Sequence, residues 1–134
     1  MNLEKIFTEL FHHNTNDITI YNSKNKIYCE GDPAYCCYII IEGEIALYRK
    51  SKNGKNVLIG RVVPGECIGL IGVIEINHQY LNTAIAYTDV VKVIKINYES
   101  FNTAVERLDI VNQAVIGLMI KRLKNSYKRI YRFL

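Results

Sequence analysis

"PGECIGLIGVIEINHQYLNTAIA", residues 64–86, decides how this chain is read. Gly69 and Gly72 bracket a short apolar turn, a polar hairpin follows, and a β-prone run closes the segment. A glycine-rich turn opening a short helix is the outline of a loop whose backbone N–H groups cradle a phosphate. Yet the two places where such a cradle would carry charged side chains hold Leu70 and Tyr80. The fold is written in the glycines and the flanking strands; the missing charges raise the question of what binds there.

Upstream of this loop, short runs rich in β-branched and aromatic residues alternate with turn residues. ITIY (18–21) and IYC (27–29) read as strands separated by NSKNK, and EGDPA ends the second with Gly31 and Pro33. YCCYIII (35–41) is a third strand, Glu42-Gly43-Glu44 turns the chain, and IALYRK (45–50) is a fourth. Asn53-Gly54 is a hairpin signal before NVLIGRVV (56–63). Downstream, TAIAY (83–87) and VVKVIKI (90–96) flank Thr88-Asp89. Many short strands, each followed by a turn, imply a closed or rolled β structure.

Both ends of the chain change to helical periodicity. Leu3, Ile6, Phe7, Leu10 and Phe11 form one apolar face near the start, and YESFNTAVER and then residues 110–134 read as helices at the end. In the last of these, Ile116, Ile120, Leu123, Tyr127, Ile130 and Leu134 are spaced 4, 3, 4, 3, 4. That is a heptad seam, the spacing with which two helices pack along each other. A helix of this length extends ~38 Å at 1.5 Å per residue, more than the width of a small β roll. The expectation is that the seam meets a second copy of the chain. Val111, Ala114, Val115, Leu118 and Met119 lie on another face, which would cover the roll.

Composition bounds the function. The 134 residues fit one domain, and 49% hydrophobic with 22% charged residues is the balance of a globular chain. The net charge of +4 is uneven. Lys121, Arg122, Lys124, Lys128, Arg129 and Arg132 are six of the 17 basic residues, and residues 121–134 contain no acid. The rest of the chain is therefore mildly acidic, and the basic end reads as the charged outer face of a long helix, its cations complementing the helix dipole. MNLEKIFTELFHH mixes acids with apolar residues and does not read as a signal peptide, and no apolar run approaches the ~18 residues of a membrane span. The expected compartment is the cytoplasm, without a membrane partner. Cys29, Cys36, Cys37 and Cys67 include no C-x-x-C spacing, and neighbouring Cys36 and Cys37 point to opposite faces of a strand. They read as reduced, small apolar side chains rather than metal ligands, so no metal or cofactor is expected.

The order of elements, with the blocks CEGDPAYCCYIIIEGEIALY (29–48), NGK (53–55), VVPGECIGLIGV (62–73) and INYESF (96–101), resembles the sensor domain of the cyclic-AMP receptor/FNR (Crp/Fnr) superfamily of bacterial transcription regulators. The resemblance implies an α+β, mainly β fold. This is a double-stranded β-helix, or cupin-like jelly roll, with a short N-terminal helix and a long C-terminal dimerisation helix. It divides the chain into a sensor roll at residues 1–108 and the long helix at 109–134. The winged helix-turn-helix that follows the helix in full regulators is absent from this chain, so DNA would be reached only through that missing domain.

In cyclic-nucleotide-binding members an arginine pairs with the cyclic phosphate and a glutamate bonds the ribose. By resemblance the glutamate position here is Leu70 and the arginine position is best matched by Tyr80; no Arg or Lys occurs anywhere in residues 62–91. A buried phosphate without its cation forfeits ~3–5 kcal/mol, roughly 10²–10³ in affinity. Cyclic AMP is therefore not the expected ligand. Candidate effector-binding residues are Gly69, Leu70, Ile71, Gly72, Tyr80, Leu81, Asn82 and Thr83 from the roll, with Ser126 and Tyr127 from the long helix. Such a wall suits a small, less anionic organic molecule, or else Leu70 and Tyr80 fill the space as core.

Other chemistries have less support. Haem needs an axial ligand facing the pocket, whereas His78 lies in the polar hairpin and His12 and His13 end the first helix. No catalytic constellation or P-loop is present, so no enzymatic activity is expected. The expected protein is an effector-sensing, homodimerising domain of a Crp/Fnr-type regulator with an unidentified small-molecule effector. A standalone nucleotide- or small-molecule-binding module without DNA-binding activity is the alternative.

Overall fold

The computed structural model describes residues 18–74 and 79–133, together with residues 2, 5, 6, 8 and 9. Residues 5, 6, 8 and 9 have helical backbone, and the Asn2 side chain accepts the Lys5 amide at 3.1 Å. Leu3, Phe7, Leu10, Phe11, His12, His13, His78 and Leu134 fall outside the described residues.

Eight strands follow: β1 (Ile18–Asn22), β2 (Lys26–Tyr28), β3 (Cys36–Glu42), β4 (Ile45–Lys50), β5 (Asn56–Val62), β6 (Cys67–Ile68), β7 (Thr83–Ala86) and β8 (Val90–Asn97). They form two four-stranded antiparallel sheets, β1-β8-β3-β6 and β2-β7-β4-β5. The chain crosses repeatedly between the sheets, which makes the architecture a jelly roll, mainly β with a helical C-terminus. Register is set where β3 meets β8, Ile40 opposite Val93, and where β4 meets β7, Ile45 opposite Ala86. Ile40, Ile45, Val91 and Val93 are thereby sealed between the sheets. A one-residue slip would turn such residues outward, so the apolar alternation fixes the pairing.

Gly43 makes the corner between β3 and β4 with φ +85°. A Cβ at this position would collide with the Val90 carbonyl oxygen and with Thr88 Oγ1. The corner is tied to the β7–β8 turn: the Glu44 amide donates to Thr88 Oγ1 at 3.0 Å, and the Tyr87 amide donates to the Glu44 carbonyl at 2.9 Å.

Among the described residues after β1, three helices accompany the strands: α1 (Leu70–Ile74), α2 (Tyr98–Glu106) and α3 (Ile110–Arg132). Asn97 and Asp109 cap α2 and α3, their side chains accepting the Ser100 and Asn112 amides at 2.7 and 2.9 Å. The 23 residues of α3 span ~35 Å. The face expected to cover the roll is open to solvent. Ile116, Ile120, Tyr127 and Tyr131 are half-buried, whereas Val111, Val115, Leu118 and Met119 are exposed; Leu118 is 67% exposed. Leu123 and Ile130 are also on the open side. The reason lies at the C-terminal end of the helix, where Tyr127 and Tyr131 are drawn onto the roll by contacts described below.

Candidate functional site

The glycine-rich cassette forms β6, the turn at Gly69 and α1. Gly69 has φ +80°, and a Cβ there would come within 3.0 Å of Tyr80 Cε1 and 3.4 Å of the Cys36 carbonyl oxygen. The turn is therefore packed against an aromatic ring. Tyr80 stacks on Tyr28 with ring centroids 3.9 Å apart and planes 12° apart, and Tyr28 stacks in turn on Tyr38 at 5.9 Å. The Tyr80 hydroxyl donates to the Cys36 carbonyl at 2.6 Å. Tyr80 is fully buried and serves as wall behind the cassette.

In front of that wall lies a cavity of about 170 Å³ lined by Gly69, Leu70, Ile71 and Gly72, by Leu81 and Asn82, by Tyr28 and Cys67, and by Leu123 and Tyr127 of α3. Of the residues expected from the sequence, Gly69, Leu70, Ile71, Gly72, Leu81, Asn82 and Tyr127 are brought together. Three are placed elsewhere. Tyr80 is not among the lining residues. Thr83 accepts the Glu30 amide at 2.9 Å and lines a second, larger cavity of about 320 Å³ with Lys26 and Lys50. Ser126 is exposed, its hydroxyl donating to the Arg122 carbonyl. The smaller cavity is the functional candidate, because it contains the cassette and touches the long helix.

Asn82 is the buried polar residue at its centre, 6% exposed. Its Oδ1 accepts the Tyr28 hydroxyl at 2.8 Å, and its Nδ2 donates to the Tyr131 hydroxyl at 3.2 Å. Arg49 of β4 places its guanidinium 3.8 Å above the Tyr131 ring and donates to the Leu81 carbonyl. Arg49 thus reaches the end of the hairpin from another strand, yet it is held by a ring and a carbonyl and is not among the residues lining the cavity. Sequence reasoning missed Tyr28, Arg49 and Tyr131. A signal existed for Tyr131, which lies one helical turn after Tyr127 and therefore on the same face. Arg49 and Tyr28 carried none, since only tertiary structure brings their strands beside the hairpin.

No described residue lining the cavity carries a charge. Burial pushes the Tyr28 phenol well above its ordinary value and raises Tyr127. Burial also raises Tyr131, against the opposing effect of its hydrogen bond with Asn82. The hydrogen bond with the Cys37 thiol holds Cys67 protonated, above the ordinary thiol range. Among the described residues no group of three His, Cys, Asp or Glu side chains is placed to share a metal ion, and no helix is long and apolar enough to cross a membrane.

These raised phenols have a consequence at high pH. The unfolded chain releases tyrosine protons near pH ~10, before the folded chain does. The stability they contribute is thus fully present below about pH 10 and is lost as pH rises through the folded-state values. The urea midpoint is expected to fall steeply between about pH 10 and about pH 12, with tyrosinate absorbance appearing in step with unfolding. An unchanged midpoint across that range would show these rings to be freely titrating.

Residues 19–107 match the protein family described as Cyclic nucleotide-binding domain. Among solved structures, the catabolite activator protein of Thermus thermophilus is similar with TM-score 0.70 and 20% identity, over 90% of this chain and 61% of that one. The N-terminal domain of a transcriptional regulator from Streptomyces coelicolor A3(2) gives 0.68 and 21%, over 88% of this chain and 81% of that one. The EAL enzyme Bd1971 in its cyclic-AMP-bound form gives 0.68 and 23%, over 84% of this chain, which spans only 30% of that enzyme. No curated protein matches the sequence. At these identities the structural likeness establishes the shared roll and helix.

Proposed function

The chain belongs to the cyclic nucleotide-binding domain family, and from that membership we propose that it is an effector-sensing, dimerising domain of a Crp/Fnr-type regulator whose signal is not a cyclic nucleotide. The observation that carries this reading is the cavity at the cassette, which has no Asp, Glu, Lys, Arg or His among its described lining residues. A cyclic phosphate buried there would meet backbone amides and no counter-charge. Leu123 and Tyr127 of α3 line the same cavity, so an occupant touches the helix directly. Its influence on the helix is limited to its differential affinity for the two arrangements. The role is regulatory rather than catalytic, and DNA binding belongs to a separate winged helix-turn-helix domain.

The dimer in this proposal uses the open side of α3. Val111, Val115, Leu118 and Met119, continued by Leu123 and Ile130, leave an apolar stripe on a helix whose opposite side is half-buried. Such a stripe along an exposed helix is an association surface. Sedimentation velocity at micromolar concentration is expected to give a dimer. Leu118→Lys combined with Met119→Lys should give a monomer with unchanged circular dichroism. A wild-type chain that sediments as a monomer contradicts the dimer, and a dimeric double variant contradicts the assigned face.

A further inference from the structure

We infer that the cavity takes a compact, uncharged, planar heterocycle that presents a hydrogen-bond acceptor to the Asn82 carboxamide, an inference that rests on the sensing role proposed above. Size is the first argument. At about 170 Å³ the space falls below the ~300–1,000 Å³ of typical small-molecule sites. It suits a single or fused ring rather than a base carrying sugar and phosphate. Charge is the second. The phenols of Tyr28 and Tyr127 and the thiol of Cys67 stay neutral, and no ionised side chain is among the described lining residues. An ion entering would lose its hydration without a partner.

Direction is the third argument. A carboxamide can present either its oxygen or its nitrogen, and here the choice is made by its neighbours. Tyr28, pinned by its stack on Tyr80, donates to Oδ1, which turns Nδ2 toward Tyr131 and α3. The nitrogen carries two N–H bonds, and Tyr131 accepts one. The second is the donor that Asn82 offers to a ligand. Leu70, Leu81 and Leu123 supply apolar surface, and Tyr127 brings a ring and a hydroxyl. Asn82 is therefore the specificity-determining residue, and Tyr28 is the positioning residue that sets its orientation.

The test is ligand-observed NMR with a fragment library sorted into neutral, anionic and cationic members, using the full chain. Expected hits are neutral planar fragments with an acceptor edge. Asn82→Asp, whose ionised side chain accepts but cannot donate, should weaken them by roughly tenfold or more and favour fragments with donor edges. Tyr28→Phe keeps Asn82 but frees its orientation, so donor-edged fragments should join the hits. That change in selectivity would not follow from a merely structural role, and the milder Tyr28→Phe variant decides the matter if Asn82→Asp does not fold. Hits concentrated among anions, or hits indifferent to both substitutions, overturn the inference while leaving a sensing role intact. An absence of hits in every charge class, with the cavity silent throughout, overturns the sensing role as well.

Discussion

Gly43→Ala should cost about 3 kcal/mol or more and lower the melting temperature on the order of 10 °C. Two effects add at this position. The residue sits at φ +85°, where an L side chain is strained. The added methyl would also meet the Val90 carbonyl oxygen and Thr88 Oγ1, and the first is backbone that cannot step aside without disturbing β8. The corner joins β3 of one sheet to β4 of the other and is bonded to the β7–β8 turn through Glu44 and Thr88. A shift there propagates into both sheets. Thermal unfolding followed by circular dichroism gives the result. A loss below about 1 kcal/mol would mean that the corner relaxes freely and that its geometry is not what holds the sheets in register. Gly54→Ala serves as the comparison: it also has positive φ, but its Cβ would meet nothing within 4 Å.

The strands were legible in the sequence because each carried its own local signal. Alternating β-branched residues, Asn53-Gly54 and the Glu42-Gly43-Glu44 corner are short-range features, and the observed strand bounds lie within a residue or two of the expected ones. β6 escaped because two residues show no periodicity. The helices were legible for the same reason, but the rotation of α3 was not. Its seam and its second face are both apolar, so periodicity alone cannot rank them. The ranking comes from Asn82, just before β7, and Arg49 of β4, which engage Tyr131 from far away in the chain. The cassette glycines were visible in PGECIGLIGV, and the lack of cations in residues 62–91 is a fact of the sequence. What could not be read was that Tyr80 turns back to stack on Tyr28 while Asn82, two residues later, faces the cavity wall.

Cyclic AMP and cyclic GMP should bind this chain at least roughly 10²–10³-fold more weakly than a domain that keeps the phosphate-pairing arginine. The loss has two sources in the structure. Leu70 lines the cavity and Tyr80 is buried behind it, and neither compensates a phosphate. Arg49 is the cation that comes nearest to a substitute, but its guanidinium is engaged with the Leu81 carbonyl and the Tyr131 ring. Releasing it would break the same contacts that hold α3 to the roll. The direct measurement is isothermal titration of each cyclic nucleotide into the purified domain. The expected result is no saturable heat at nucleotide concentrations approaching about 1 mM. Micromolar binding of either one, with Arg49 found on the phosphate in the complex, would contradict the claim that this roll has exchanged a charged signal for an uncharged one.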